Sequence, residues 1–130
     1  MNNYFFRVYY EDTDAGGIVY YSNYLKFIER ARTEALRDIG LIQSEIVDQF
    51  KLIFVVRNIF AKFIKPAKLD DLLEVKTNFK RIGMVSIRLV QEIFLNDNKL
   101  FSAEVKLGIV DIMGKPKKLP LELREKMKNF

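Results

Sequence analysis

The sequence contains neither histidine nor cysteine in its 130 residues. A Ser-His-Asp triad and a Cys-His pair are therefore both excluded as catalytic groups. A zinc hydrolase site is disfavoured as well, because carboxylates are the only charged metal ligands that the chain offers. Without cysteine there is also no disulfide that would indicate an exported protein. Most of the usual catalytic side chains are thus missing.

Long apolar segments are missing too. No apolar run approaches the roughly 18–20 residues that span a bilayer. The first residues, Met1 to Arg7, lack a charged segment followed by an apolar one, so we expect no secretory signal and a cytoplasmic location. There is no linker, repeat or low-complexity stretch. A hydrophobic fraction of 49% in 130 residues predicts one packed domain that spans residues 1–130.

The positive charge is moderate, with a formal value of +5 and a concentration at Lys115, Lys117 and Lys118. A solvated surface, a nucleic-acid face, or attraction for a phosphate-bearing small molecule would each account for it. Because no nucleic-acid-binding motif accompanies the charge, we expect no nucleic-acid partner.

Apolar periodicity divides the chain into one long helix and a series of strands. The spacing predicts a helix from Tyr20 or Ser22 to Asp38, with Gly40 as a left-handed cap. A shorter helix is predicted from Leu121 to Lys128. Alternating apolar residues predict five strands, over Tyr4 to Tyr10, Leu52 to Lys65, Leu73 to Lys80, Val85 to Ile93, and Phe101 to Ile109.

The predicted order is a strand, a long helix, and four strands without intervening helices. Consecutive strands joined by short turns pair antiparallel. The apolar face of such a sheet requires a cover, and the long helix is the only large apolar helix available. We therefore predict an α+β fold in which a curved antiparallel sheet of about five strands wraps around one long central helix.

The segment from Asp12 to Tyr24 is the most informative part of the sequence. It joins two carboxylates, Asp12 and Asp14, and the glycines Gly16 and Gly17 to the start of the long helix. Carboxylates commonly accept backbone N–H bonds at a helix start, so a purely structural role is the alternative to a chemical one. We interpret Asp12 as such a structural carboxylate and Asp14 as the chemical candidate.

The sequence from Arg7 to Leu36 resembles the Tol-Pal-associated acyl-CoA thioesterases, in the 4-hydroxybenzoyl-CoA thioesterase group of the hotdog fold. The shared features are Asp-Thr-Asp-Ala-Gly-Gly before the helix and Phe-Ile-Glu-Arg-Ala-Arg-Thr-Glu within it. The resemblance continues through Phe54 to Arg57 and Pro66 to Asp71. One position departs, because the Tol-Pal branch usually carries His where this chain has Tyr21.

The resemblance implies that Asp14 is the catalytic carboxylate, acting as nucleophile or general base on a thioester. A thioester expels a fairly stable thiolate, so a site without histidine is chemically sufficient. Backbone N–H groups at the helix start, including that of Tyr21, would polarise the thioester carbonyl. Gly17 would let that carbonyl approach the helix without meeting a Cβ atom.

Several further residues are weaker candidates. Lys80 and Arg81 match a basic segment that binds coenzyme A phosphates in the 4-hydroxybenzoyl-CoA group, although both are equally consistent with ordinary surface charges. Glu29 is a second carboxylate on the long helix, where some hotdog thioesterases place their catalytic group. Tyr20 and Tyr24 are interpreted as wall and core residues.

The sequence thus predicts an acyl-CoA thioesterase that needs no metal or redox cofactor. Two alternatives stay open, a domain that holds acyl-CoA or acyl carrier protein without turnover, and an interaction protein at the inner membrane face. The substrate donor is expected to be acyl-CoA, with acyl carrier protein as the other candidate. Because exposed strand edges promote aggregation unless paired, we expect a homo-oligomer, either a dimer or a tetramer.

Overall fold

The computed structural model describes residues 2–128, which form a single five-stranded sheet with three α-helices. Along the chain these elements are β1 (Asn2–Arg7), a 3-10 turn (Tyr10–Asp12), α1 (Asn23–Asp38), α2 (Gln43–Phe50), β2 (Leu52–Phe63), β3 (Leu72–Ile82), β4 (Ser86–Leu95), β5 (Asn98–Asp111) and α3 (Leu121–Met127). None of the helices within these residues is long and apolar enough to cross a bilayer.

All strand pairs in the sheet are antiparallel, and the strand order is β1-β3-β4-β5-β2. Strands β3, β4 and β5 follow one another through short turns, which is why they lie side by side. The two edges are β1, with six residues, and β2, with twelve. A register shift between Val56 and Asn58 interrupts the pairing of β2 with β5.

The core lies between α1 and one face of the sheet. Alternate residues of β4 and β5 point into it, as the period of two requires. From α1, the buried residues recur every three to four positions and include Phe27, Ile28, Ala31 and Ala35. Polar groups enter this core at Arg32, Thr77 and Gln91.

The sequence predictions for α1, Gly40 and the five-stranded antiparallel sheet are confirmed. Gly40 adopts a φ of +83° directly after Ile39, the C-cap residue of α1. Two predictions are wrong in detail. The chain after α1 forms α2 before the sheet continues, whereas no helix was predicted there. The first strand ends at Arg7 rather than Tyr10, because Tyr10–Asp12 forms a 3-10 turn.

Candidate active site

The loop between the 3-10 turn and α1 is a closed structure. Thr13 and Val19 form an isolated antiparallel bridge, and the Asp14 N–H donates to the Ile18 carbonyl at 2.9 Å. Inside that bridge, the Gly17 N–H donates to the Asp14 carbonyl at 3.0 Å. Gly17 has a φ of +79°, which is accessible to glycine at little cost. The glycine is therefore required by the turn itself.

The same loop is fixed to the segment that precedes β3. The Val19 N–H donates to the Ala67 carbonyl at 2.9 Å, and the Leu69 N–H donates to the Gly17 carbonyl at 3.2 Å. The Ala67 N–H in turn donates to the hydroxyl oxygen of buried Tyr24, at 3.0 Å. These bonds tie the loop, the first turn of α1 and the start of β3 into one unit.

The Asp14 side chain is exposed at the tip of this loop. Its Oδ1 accepts a hydrogen bond from the Gly16 N–H at 2.8 Å. Among the described residues, Oδ2 has no hydrogen-bond or ion-pair partner. The pKa of the nearby Tyr20 hydroxyl is raised, chiefly by the neighbouring Tyr21 hydroxyl and in smaller part by the negative charge of Asp14. One carboxylate oxygen is thus held by the loop while the other is open to a ligand.

Asp12 has the structural role that the sequence predicted for it. Its Oδ2 accepts a hydrogen bond from the Tyr9 N–H at 2.9 Å. Its carbonyl accepts one from the Tyr20 N–H at 3.1 Å and another from Asn23 Nδ2 at 2.8 Å. Asp12 therefore connects the chain just after β1 to the first residue of α1, through one oxygen of its carboxylate and through its carbonyl.

The turn that leads into α1 presents an unused backbone donor, two positions before the first helical residue. Within residues 2–128, no acceptor is found for the N–H of Tyr21. By contrast, the N–H groups of Tyr24 and Leu25 donate to the carbonyls of Tyr21 and Ser22, at 3.3 and 3.2 Å. The first N–H groups of a helix have no partner inside it and carry the positive end of its dipole. An oxyanion beside Tyr21 would be stabilised by this donor.

Aromatic rings line the surface next to the helix start. The Tyr21 ring centroid lies 4.8 Å from that of Tyr20 and 6.3 Å from that of Phe63. Phe63 also packs edge-on against Tyr24, at 5.5 Å. Tyr24 is buried, whereas Tyr20, Tyr21 and Phe63 keep between 47% and 63% of their surface exposed. The predictions of Tyr20 as a wall residue and Tyr24 as a core residue agree with this arrangement.

The exposed rings of Tyr20, Tyr21 and Phe63 form an aromatic wall, and Phe63 is the member that the sequence did not predict. It is the last residue of β2, far from Tyr21 along the chain, and its pairing with Phe101 places it on the inner face of the sheet. The alternation of β2 indicates that inward orientation. Nothing in the local sequence indicates that α1 would begin beside it.

Lys80 and Arg81 lie at the opposite end of β3 from the Asp14 loop. The loop contacts the residues just before Leu72, and Lys80 lies eight positions farther along the strand than Leu72. At about 3.3 Å per residue, the separation is about 26 Å. Both side chains are exposed, and a register shift at this point directs them to two different surface depressions. Within one chain, the structure does not bring them together with Asp14.

Comparison with known proteins identifies the family to which the chain belongs. Residues 16–102 match the Thioesterase superfamily. The chain belongs to this superfamily. Among its relatives, the acyl-CoA thioesterase YbgC of Haemophilus influenzae is 43% identical over 119 residues, which cover 91% of this chain and 88% of the relative. The Helicobacter pylori acyl-CoA thioesterase YbgC is 40% identical over 114 residues, covering 81% and 83%.

Solved structures of the superfamily share the fold. A probable thioesterase from Bartonella henselae superposes with a TM-score of 0.88 at 36% identity, covering 92% of this chain and 98% of that structure. The predicted hotdog fold is thereby confirmed. The family match begins at Gly16, so it includes the helix start and the aromatic wall but not Asp14 itself.

The arrangement suits the chemistry after which the superfamily is named. Thioester cleavage needs a nucleophile or base on one side of the carbonyl carbon and a donor for the oxygen that becomes negative. Asp14 has an open carboxylate oxygen of the kind needed as nucleophile or base, and Tyr21 has an unpaired N–H of the kind needed as donor. The exposed rings of Tyr21 and Phe63 add apolar surface for an acyl group next to them.

Proposed function

We propose that this chain hydrolyses the thioester of acyl-CoA to a free acid and CoA, with Asp14 as the catalytic carboxylate. The observation that carries the proposal is that one loop-and-helix unit presents both an open Asp14 oxygen and the unpaired N–H of Tyr21. The names of the YbgC relatives, at 40–43% identity over most of the chain, support the same reaction.

Two routes are consistent with this site. In one, Asp14 Oδ2 attacks the carbonyl carbon, the C–S bond breaks, CoA leaves as a thiolate, and water hydrolyses the resulting acyl anhydride. In the other, Asp14 takes a proton from water as that water attacks the same carbon, and the tetrahedral intermediate then expels the thiolate. The Tyr21 N–H would donate to the oxyanion in both. Isotope transfer from labelled water into Asp14 during turnover distinguishes the first route from the second.

Lys80 and Arg81 are proposed to bind the phosphates of CoA. Their separation of about 26 Å from the start of β3 argues against a compact site with Asp14 in the same chain. We therefore propose that these two residues serve the active site of a second copy. Lys80→Ala with Arg81→Ala should raise KM for acyl-CoA and leave KM for a short acyl-pantetheine thioester, which has no nucleotide phosphates, near the parent value.

A homo-oligomer, either a dimer or a tetramer, is proposed on the evidence of the sheet edges. β2 pairs with β5 on one side, and no strand within the described residues pairs with its other side over twelve residues. Exposed Val56, Phe60 and Phe63 add apolar surface to this strand. Unpaired long edges associate unless they are protected. A fully active monomer at micromolar concentration in light scattering would exclude the proposal.

A peripheral interaction with the inner membrane is the second candidate function, and one surface supports it. In the turn after β5, Ile112 and Met113 are 62% and 80% exposed, and Lys115 and Lys118 follow them as exposed cations. An apolar tip flanked by lysines suits an anionic lipid surface. A cytoplasmic location and the Tol-Pal association of the resembling thioesterases would fit such contact. Co-sedimentation with vesicles, with and without phosphatidylglycerol, tests it.

Release of free thiol from a panel of acyl-CoA substrates tests the main proposal. The parent and Asp14→Asn should be compared on short, long and aromatic acyl groups, and on the same groups carried by acyl carrier protein. Turnover by the parent that falls sharply in Asp14→Asn supports hydrolysis. Tight acyl-CoA binding without thiol release would instead favour a binding module.

A further inference from the structure

Arg32 is a buried cation without an ion pair. It lies on the sheet-facing side of α1 and is only 8% exposed. Its Nη1 donates to Oε1 of Gln91 at 3.0 Å, and Gln91 Nε2 donates in turn to the Ile28 carbonyl at 2.8 Å and to Thr77 Oγ1 at 3.0 Å. In the described part of the chain, no carboxylate oxygen lies within 4.0 Å of the guanidinium.

The remaining donors of Arg32 open into a pocket. A guanidinium has five N–H groups, and Gln91 is the one acceptor found for them among residues 2–128. No side-chain nitrogen or oxygen in these residues is both sealed from solvent and unpartnered, so the other guanidinium nitrogens must reach open space. That space is a pocket of about 210 Å³, lined by Glu29, Arg32, Thr33, Leu36, Gln43, Phe54, Val56 and Leu107.

The charge on Arg32 has a cost that the fold compensates only in part. Buried charges are normally paired, because removing an ion from water is expensive. Burial lowers the pKa of Arg32, and the negative charge of Glu29, three residues earlier on α1, opposes this shift. Arginine nevertheless stays protonated in proteins. The pocket therefore presents a cation whose free donors require an acceptor.

The pocket lies farther along α1 than the candidate active site, which is at the start of that helix. From Asn23 to Arg32, α1 rises by about 13.5 Å at about 1.5 Å per residue. On β2, the inner-face residues between the two places are Phe63, which lies near Tyr21, then Ala61 and Ile59, and then Val56, which lines the pocket. Each is less buried than its partner on β5. An acyl group that leaves the carbonyl site beside Tyr21 would meet this partly open strip and then the pocket.

We propose that Arg32 binds an oxygen acceptor at the far end of the acyl group, so that the enzyme selects ω-oxygenated acyl chains over plain alkyl chains of equal length. An alkyl end that reached the pocket would remove water from the guanidinium and supply no acceptor. A terminal hydroxyl accepts from Arg32 and can donate to Glu29. This inference rests on the proposed thioesterase activity and names the substrate class of that same site.

The test compares kcat/KM for alkyl acyl-CoA substrates with that for their ω-hydroxy derivatives, from hexanoyl to hexadecanoyl. At about 1.2 Å per bond, about eleven bonds span the helix rise, so dodecanoyl is the central length. We expect the parent to prefer the ω-hydroxy substrate by about tenfold near this length, since hydrogen bonds to charged groups are among the strong ones. Arg32→Met should abolish that preference and Arg32→Lys should keep part of it.

Arg37→Met is the matched control, because Arg37 lies on the same helix, is exposed and pairs with Glu34. It should leave the substrate ratio at the parent value. The inference would be overturned if Arg32→Met left the preference for the ω-hydroxy substrate unchanged. It would also be overturned if light scattering showed that Arg32→Met loses the oligomer and the preference stays the same. Hydrolysis of hexanoyl-CoA by the parent separates these results from failure of the thioesterase proposal. If Arg32→Met does not fold, the ratio of kcat/KM for the ω-hydroxy and alkyl substrates is measured in Arg32→Gln and Arg32→Lys.

Discussion

The Gly16 N–H holds Oδ1 of Asp14 at 2.8 Å, across a turn in which Gly17 adopts a left-handed conformation. This bond orients the carboxylate without consuming it, because the second oxygen accepts nothing from the described residues. A carboxylate fixed on one side and open on the other is pre-organised for attack or for proton abstraction. In the proposed mechanism, the loop would orient the Asp14 carboxylate as a third residue orients the base in a triad.

Asp14→Asn should lower kcat by about 10²–10⁴, the range expected when an acid–base or nucleophilic group is lost. The amide oxygen can still accept the Gly16 N–H bond, so the loop should keep its shape and the melting temperature should stay close to the parent value. Steady-state thiol release and thermal unfolding, measured on the same preparations, check both expectations. Hydrolysis at the parent rate would remove Asp14 from its proposed role.

Asp12→Ala is the contrasting variant. It removes the carboxylate that accepts the Tyr9 N–H bond at 2.9 Å. Loss of a capping-type bond costs about 0.5–2 kcal/mol. We expect a lower free energy of unfolding, with kcat largely kept at temperatures where the variant is folded. A larger kcat loss than that of Asp14→Asn would mean that the two aspartates have been assigned in the wrong order.

Tyr21→Phe should keep activity within about tenfold, equivalent to about 1.4 kcal/mol of barrier. The change preserves the unpaired backbone N–H and the ring that packs near Phe63, and removes only the hydroxyl. If the hydroxyl instead replaces the histidine of the resembling branch, the loss should be about 10²-fold or more. Tyr21→His would then restore much of the rate. Turnover of both variants on one substrate decides between the two roles.

The sheet and α1 could be predicted from sequence because their signals are local. Strict alternation in residues 73–80 and the apolar spacing from Leu25 to Ile39 each specify one kind of element. α2 could not be predicted as readily, because its eight residues span barely two turns and only Ile46 is buried. Short helices depend on tertiary packing more than on their own propensity.

The site was only partly predictable for a related reason. Asp14, Gly17 and Tyr21 lie within eight consecutive residues, so the loop carries their arrangement. The proposed roles of Phe63 and Arg32 depend on contacts across the fold, which residue spacing does not encode. The distance of Lys80 from the loop has the same origin, since it follows from the direction in which β3 runs.

Acid should weaken the turn after β5. Hydrogen bonds from the backbone N–H of Lys115, and then of Met113, hold the pKa of Asp111 below its usual value. Because the folded pKa is depressed, the stabilisation is complete above the unfolded pKa of about 3.9 and is lost as pH falls through the folded pKa. Asp111→Asn should therefore show a smaller loss of stability between pH 7 and pH 3 in urea unfolding.

Asp97→Asn is the charge-matched control for this measurement. Asp97 is exposed in the turn between β4 and β5, and its carboxylate accepts no hydrogen bond from residues 2–128. The variant removes the same charge without removing a bonded acceptor. Equal pH slopes in Asp111→Asn and the parent would show that the turn does not depend on the ionised carboxylate.

Alanine substitutions at the two loop glycines should separate catalysis from stability. A Cβ on Gly16 would lie 3.3 Å from Asp14 Oδ1, close enough to displace the carboxylate. A Cβ on Gly17 would meet nothing within 4 Å, but the φ of +79° strains any L residue by about 1–2 kcal/mol. Gly16→Ala should thus lower kcat at nearly constant melting temperature. Gly17→Ala should lower the melting temperature to about the extent seen for Gly114→Ala, which has a φ of +85° outside the site and is the strain control. The same change in both quantities for the two loop variants would show that the loop responds as a whole, and would contradict a specific contact between Gly16 and Asp14.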